Sequence, residues 1–406
     1  MAARRRYGPV FRSSDLIAGE VFHIADRALI EQMFKWKPAE YNVGEPREVM
    51  EPVTGPSSIL LLDAERHMRM RKLMLPPFHG DAIAHYAELI AQITEREIDS
   101  WRPGDTIRTR TAAQTITLEV IIRAVFGITD PGRVAELKRV LPRLSSINPL
   151  LAFEAMRKDL GPRSPWGRFV RDRERVDGML YGEIERRRSD PDLHTQRDIL
   201  TLLLSVRDED GTPLTDTELR DELITLLLAG HETTATSIGW AFERLLRSPR
   251  ALERLTAEAK KGDSGDYIDA VIKETLRVRP VVSEVFRAPT KPTALGGFLF
   301  APGTQLAASI LLIQRDSELY APDPSAFRPE RFLEDAPEPY TWIPFGGGVR
   351  RCLGAAFAQL EMKIVISAIV ARARLRAPRA TSEKARFRGV TLLPSRGGEA
   401  IVESVD

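Results

Sequence analysis

A single cysteine occurs in 406 residues. That count excludes an internal disulfide and any zinc site built on several thiolates. A lone cysteine is by default a small buried hydrophobe, and only its surroundings can argue otherwise. An excess of one charge sign is lacking too: 59 Lys and Arg face 57 Asp and Glu, a net of +2. Neither nucleic acid nor an anionic membrane is therefore indicated as the main partner. The short basic runs Arg4-Arg5-Arg6 and Arg186-Arg187-Arg188 read as solvated surface. No apolar stretch nears the ~18 residues of a membrane span. No apolar segment follows Arg6, so the start does not read as a signal peptide. The protein is expected to be soluble and cytoplasmic. Repeats, low-complexity tracts and Pro/Gly-rich linkers are absent as well.

What is present is ordinary globular composition, 43% hydrophobic and 29% charged. At ~150 residues per domain the length would suit two or three domains, but no boundary is visible. One domain spanning 1–406, mainly helical with small sheets, is the expectation. Strand-like alternation appears at 10–13, 21–24 and around 297–306. Helical periodicity covers 81–101, 111–126, 166–188, 217–247, 267–279 and 355–372. Loops are expected at 189–197, 207–215 and 261–266. The helix at 217–247 stands out. Thr215 and Glu218 form a capping-box signature before it, and Ser248-Pro249 closes it. Its middle, 223–229, is apolar on most sides, so it should run through the interior.

The segment Phe345-Gly346-Gly347-Gly348-Val349-Arg350-Arg351-Cys352-Leu353-Gly354 surrounds the cysteine. Its glycines let the backbone approach a flat ligand closely. A helix starts directly after it, and the positive end of a helix favours thiolate over thiol. Loop amides can tune the sulfur toward a metal, and Arg350 can set a guanidinium beside an anionic ligand group. The second informative segment, Ala229-Gly230-His231-Glu232-Thr233-Thr234, lies midway along the long helix. Gly230 weakens the helix there, and a Thr233 hydroxyl bonding back to the Ala229 carbonyl would bend it. A carboxylate in an apolar helix is costly without a partner or a task. His231 points away from Glu232 and is given no catalytic role.

Phe345, Gly348, Arg350, Cys352 and Gly354 together resemble the haem-binding signature of the cytochrome P450 family. The resemblance runs from about Tyr7 to the C-terminus, with only Met1 to Arg6 ahead of the first strand, fewer than is usual there. It implies a single large triangular α+β fold with the long helix over haem b. By that resemblance Cys352 is the iron ligand, and Ala229, Phe345, Gly346 and Gly354 border the haem. Thr233 would hydrogen-bond the bound oxygen, and Glu232 would deliver protons through water. His67 and Arg71 in His67-Met68-Arg69-Met70-Arg71, with Arg287 and Arg350, would hold the propionates. Glu274, Arg277 and Arg331 would form a buried structural network behind the cysteine loop. Leu226, Val282, Val285, Val390 and Thr391 would line a mostly apolar pocket, which favours a fatty acid, terpenoid or steroid-like substrate. Ser283 and Glu284 interrupt that lining and either recognise a polar or cationic group or face away.

The implied reaction is monooxygenation with O2 and NAD(P)H-derived electrons. The chain past Cys352 is too short for a reductase domain, so a ferredoxin or flavodoxin with its reductase is the expected partner of a monomer. An acidic donor would dock by Arg350 and Arg351. The rival readings are a peroxygenase or isomerase, which needs no donor, and a non-catalytic haem sensor. The Glu232-Thr233 pair disfavours both.

Overall fold

The structure, a computed structural model, describes residues 6–15, 19–43, 46–78, 81–145, 157–158, 160–262 and 265–406. Arg4, Arg5 and residues 263–264 of the expected 261–266 loop lie outside them. The chain divides into two compact units. One comprises Met1–Asn42, Ala87–Thr117 and Glu232–Asp406, the other Val43–Tyr86 and Leu118–His231.

The helices that position the site are α1 (Arg27–Phe34), α2 (Ala64–Met74), α3 (Ala87–Asp99), α4 (Thr109–Val120), α5 (Pro165–Arg188), α6 (Asp216–Leu245), α7 (Asp266–Val278) and α8 (Ala355–Arg372). The strands are β1 (Val10–Asp15), β2 (Gly19–Ile24), β3 (Tyr41–Asn42), β4 (Thr106–Arg108), β5 (Glu284–Pro289), β6 (Thr293–Leu295), β7 (Phe298–Phe300), β8 (Gln305–Ser309), β9 (Ala373–Arg376), β10 (Ala385–Arg388), β11 (Thr391–Pro394) and β12 (Glu399–Val405).

All strands belong to the first unit. The largest sheet runs β1-β2-β8-β5-β3. Its β2–β8 pair is parallel and its other pairs are antiparallel. Ile24, Leu306 and Ala308 of this sheet bury against Ile30, Met33 and Phe34 of α1. Burying each large side chain of that set is worth about 1.5–3 kcal/mol. Asp26 starts α1 by accepting the Leu29 N–H at 2.9 Å, the expected use of an aspartate before a helix. The smaller sheets are β4-β12-β9, β10-β11 and β6-β7. The strand expected around 297–306 is really β7 and the start of β8, parted by a turn at Pro302-Gly303.

In the second unit α5 begins at Ser164, whose hydroxyl accepts the Gly167 N–H at 2.9 Å, with Pro165 next. The basic run ending this helix is not all surface, as expected from its charge. Arg187 is 2% exposed and donates to Glu183 at 2.9 Å, to Asp198 and Thr201 at 2.7 Å, and to the Gly127 carbonyl at 2.9 Å. A helix turns about 100° per residue, so the middle of three arginines can face inward while its neighbours stay wet.

Helix α6 runs 30 residues, and its start is the capping box read from sequence. The Thr215 N–H donates to Glu218 at 2.9 Å and the Glu218 N–H to the Thr215 hydroxyl at 3.2 Å. Leu223, Ile224, Leu227, Ala235, Ile238 and Trp240 on it are all 0% exposed. Two expected helices are shorter than their periodicity. The 81–101 run breaks at His85-Tyr86, where the two units meet in sequence. The 111–126 run leaves α-geometry after Val120 for a π-turn at Ile121–Val125.

Candidate active site

The cysteine loop is closed by its own backbone. The Cys352 N–H donates to the Phe345 carbonyl at 2.9 Å, Gly346 N–H to Ile343 at 2.9 Å and Arg351 N–H to Gly348 at 3.1 Å. Gly348 has φ +66°, and a Cβ there would stand 2.2 Å from the Phe34 carbonyl oxygen. Only glycine lets this turn press against the end of α1. The thiol of Cys352 is exposed, contrary to the default for a lone cysteine. Gly354, the cap of α8, brings no side chain to its first-turn amides. The positive helix end is thus left to act on what lies in front of it.

Two guanidiniums converge beside this loop. Arg287 on β5 is 4% exposed, donates to the Phe286 carbonyl at 2.7 Å, and lies over the Tyr41 ring at 4.7 Å. Arg350 lies over the same ring at 5.9 Å. Tyr41 was not legible as a site residue, because nothing local links it to positions hundreds of residues away. His67 on α2 is 3% exposed, and Arg71 follows it one turn later, partly exposed.

Behind the loop stands a polar wall. Arg277 donates to Glu274 at 2.6 and 2.8 Å, and to the carbonyls of Gln314, Pro324 and Ala326 at 2.7–3.0 Å. Glu274 also accepts from Arg331 at 3.2 Å and from the Arg328 N–H at 2.8 Å. Gln314 then bonds Leu276 of α7 and the Ile343 N–H, each at 2.9 Å. The structure therefore brings Glu274, Arg277 and Arg331 together and ties them to the strand of chain entering the cysteine loop.

On α6 the buried surface is interrupted by a stripe at Leu226, Ala229, Gly230 and Thr233, partly or fully exposed and three to four residues apart. That spacing places them on one helix face. Glu232 is ion-paired with Arg110 of α4 and accepts from Gln114 at 2.6 Å. Arg110 reaches it because Gly239 leaves room: a Cβ on Gly239 would stand 2.7 Å from the Arg110 Cβ. Arg110 and Gln114, one turn apart, escaped the sequence reading, since an i, i+4 pair of this kind is commonplace. The imidazole of His231 is engaged by the Leu227 carbonyl at 3.0 Å.

Of the pocket candidates, Val282 pairs with Thr391, and the Leu392 N–H donates to the Val281 carbonyl at 2.7 Å. Val285 packs on the sheet core, and Val390 is 71% exposed at the tip of the β10–β11 hairpin. Glu284 is engaged in the sheet, at 2.6 Å from His23 Nδ1, whose Nε2 is 2.7 Å from the Ser13 hydroxyl.

The family model for cytochrome P450 matches residues 1–401. The chain belongs to the cytochrome P450 family. Among curated relatives, cytochrome P450 135B1 of Mycobacterium tuberculosis is 40% identical over 408 residues, 99% of this chain and 86% of the relative. Cytochrome P450 137 of the same organism is 38% identical over 396 residues, 97% and 83% of the two chains. Among solved structures, the retinoic acid-bound cyanobacterial CYP120A1 superposes with TM-score 0.85 at 24% identity, covering 100% of this chain and 93% of that one. That likeness speaks to the fold. Membership makes the protein a haem-thiolate monooxygenase. No helix among the described residues is long and apolar enough to cross a membrane.

The residues present fit a haem. An exposed sulfur sits before a helix start, glycines press the loop flat, and two guanidiniums share an aromatic ring where carboxylates would be neutralised. The exposed face of α6 supplies a surface in an otherwise buried helix.

Proposed function

We propose that this cytochrome P450 inserts one oxygen atom from O2 into a lipophilic small molecule of fatty-acid, terpenoid or steroid type. The observation that carries the site is Cys352, exposed at the start of α8 with Arg287 and Arg350 beside its loop. Haem b, when bound, supplies oxygen activation through its thiolate-ligated iron.

The chain's own residues do the rest. Cys352 donates its thiolate, held in register by the Phe345 carbonyl. Phe345, Gly346 and Gly354 shape the loop around it. Arg287 and Arg350, with His67 and Arg71 by the family resemblance, would hold the propionates of a bound haem. Ala229 gives the smallest side chain on the exposed face of α6, so a flat group can lie close. Thr233 would offer its hydroxyl to the oxygen, and Glu232, held by Arg110 and Gln114, would help deliver protons through water. Val282, Val285 and Thr391 exclude water from an apolar substrate, whereas Val390, 71% exposed at its hairpin tip, does not line it in this structure. Glu274, Arg277 and Arg331 keep the cysteine loop rigid.

NAD(P)H-derived electrons arrive through a ferredoxin or flavodoxin with its reductase. The partner's acidic face meets Arg350 and Arg351. NADPH consumption and product formation with a surrogate ferredoxin system and a lipophilic library test this reading. Product that depends on the donor is expected. Turnover with hydrogen peroxide alone would make the protein a peroxygenase, and no turnover of any kind would make it a haem sensor.

A further inference from the structure

Ser13, His23 and Glu284 stand on three strands of the largest sheet and form one hydrogen-bonded row. The Ser13 hydroxyl is 2.7 Å from His23 Nε2, and His23 Nδ1 is 2.6 Å from a Glu284 carboxylate oxygen. The register explains the row. Ser13 faces Val21, two residues before His23 on β2, so the two side chains share a sheet face as diagonal neighbours. His23 and Phe286 both face Ala307 on β8, and Glu284, two residues before Phe286, reaches past that small side chain from β5. The ring of Phe11 stacks on the imidazole at 4.9 Å and 20°, which fixes the plane of the ring. Ser13 itself is exposed. The oxygen chemistry uses none of the three.

We propose that Ser13, His23 and Glu284 are a nucleophile, a base and an orienting acid that hydrolyse small carboxylic esters. The proton positions follow from the partners. A carboxylate only accepts, so Nδ1 of a neutral His23 carries the proton and donates to Glu284. Nε2 is then the acceptor, and the Ser13 hydroxyl must donate to it. That arrangement activates a serine, and it is recognised by geometry rather than by fold or chain order. The backbone supplies an oxyanion donor. The Ala25 N–H donates to the Pro9 carbonyl at 2.8 Å, which marks Pro9 and Ala25 as a hydrogen-bonded pair. By alternation along an unbroken register, Ser13 and Val21 are another. Ser14 therefore turns its N–H away from β2. Among the described residues β1 ends the sheet, so that N–H meets no further strand. In α/β-hydrolases the amide of the residue after the nucleophile holds the developing oxyanion.

The chemistry balances with water alone. The Ser13 oxygen bonds the ester carbonyl carbon as its proton passes to His23 Nε2. The ester C–O bond then breaks, and the alcohol leaves with that proton while Ser13 keeps the acyl group. Water attacks the acyl carbon and gives one proton to His23 Nε2. The acid departs as Ser13 regains that proton. Ester and water become acid and alcohol, and no electron is exchanged. Arg12, Ser13 and Ser14 are all exposed, so the site is an open shelf on an edge strand. A shelf suits short, reactive esters whose leaving group needs little help.

Labelling of the purified holoenzyme with a fluorophosphonate tests the proposal directly, since that probe reacts with a serine whose hydroxyl has a base. Peptide mass spectrometry should find the adduct on Ser13. His23→Phe, which keeps a flat ring against Phe11, should abolish it. No adduct on Ser13, or an adduct formed equally fast in H23F, overturns the proposal. Hydrolysis of para-nitrophenyl acetate gives a second reading. Ser13→Ala changes only an exposed side chain and should lower kcat/KM by roughly 100-fold or more. A rate equal to that of wild type overturns the proposal as well. The reduced carbon-monoxide spectrum of S13A should match that of wild type, which reads the ester site apart from the haem-thiolate assignment. A lost band would mean that Ser13 holds the fold, and the proposal falls.

Discussion

The wall behind the cysteine loop and the middle of α8 each bury a glutamate, yet they treat it differently. Glu274 is 0% exposed and has guanidiniums on both oxygens plus a backbone N–H. Glu361, on α8, is 1% exposed, with the Thr234 hydroxyl acting on it and its Oε1 without a partner among the described residues. The first arrangement partners the acid on both oxygens and so suits a scaffold. The second leaves one oxygen without a partner among the described residues, and burial raises the pKa of the group. Burial alone does not decide how an acid is held. The partners do.

Breaking the scaffold should have the largest effect. Arg277→Ala strands the Glu274 charge in the interior and should lower stability by about 3–5 kcal/mol, read from a denaturant or thermal melt. Retained full stability would show that the wall is not a unit. Gly348→Ala comes next. Its φ of +66° and a Cβ 2.2 Å from the Phe34 carbonyl should cost on the order of 1–3 kcal/mol and reduce haem retention, measured by absorbance after gel filtration. A variant as stable as wild type would contradict the close approach of loop and α1.

The buried acid of α8 should respond to pH instead. Glu361 titrates at about 8 in the folded chain and near its ordinary 4.5 in the unfolded one. Between those values the folded state keeps a proton that the unfolded state releases, so stability falls as the pH climbs. Melting temperatures of wild type and E361Q should therefore diverge from pH 5 to pH 8.5, with E361Q the more stable at the upper end. Parallel curves would mean that Glu361 ionises normally. The smallest effect belongs to the surface. Arg12 and Glu20 pair at 2.8 Å with both side chains about 60% exposed, and Arg12→Ala should change stability by less than about 1 kcal/mol.

What could be read from the sequence follows the range of the interactions. The cap of α6 is a contact over three residues, and the glycine loop with its cysteine spans ten. Both are local patterns: the cap forms as read, and a helix starts directly after the loop as expected. The partners of Glu232 are over a hundred positions away in sequence, on α4, and those of Arg350 and Arg287 meet at Tyr41. No window of sequence contains such contacts. The basic run at 186–188 misled for a related reason. Charge suggested water, but the helix carried Arg187 inward to Glu183 and Asp198, and a fully paired arginine tolerates burial. Glu284 gave no sign of its direction until β2 set His23 beside it.

The central claim is that Cys352 supplies a thiolate to haem iron, and one spectrum addresses it most directly. The dithionite-reduced, carbon-monoxide-saturated wild type should show the red-shifted Soret band of a thiolate-ligated haem, and Cys352→Ser should lose it while remaining folded by circular dichroism. The same band in the folded serine variant would contradict the assignment.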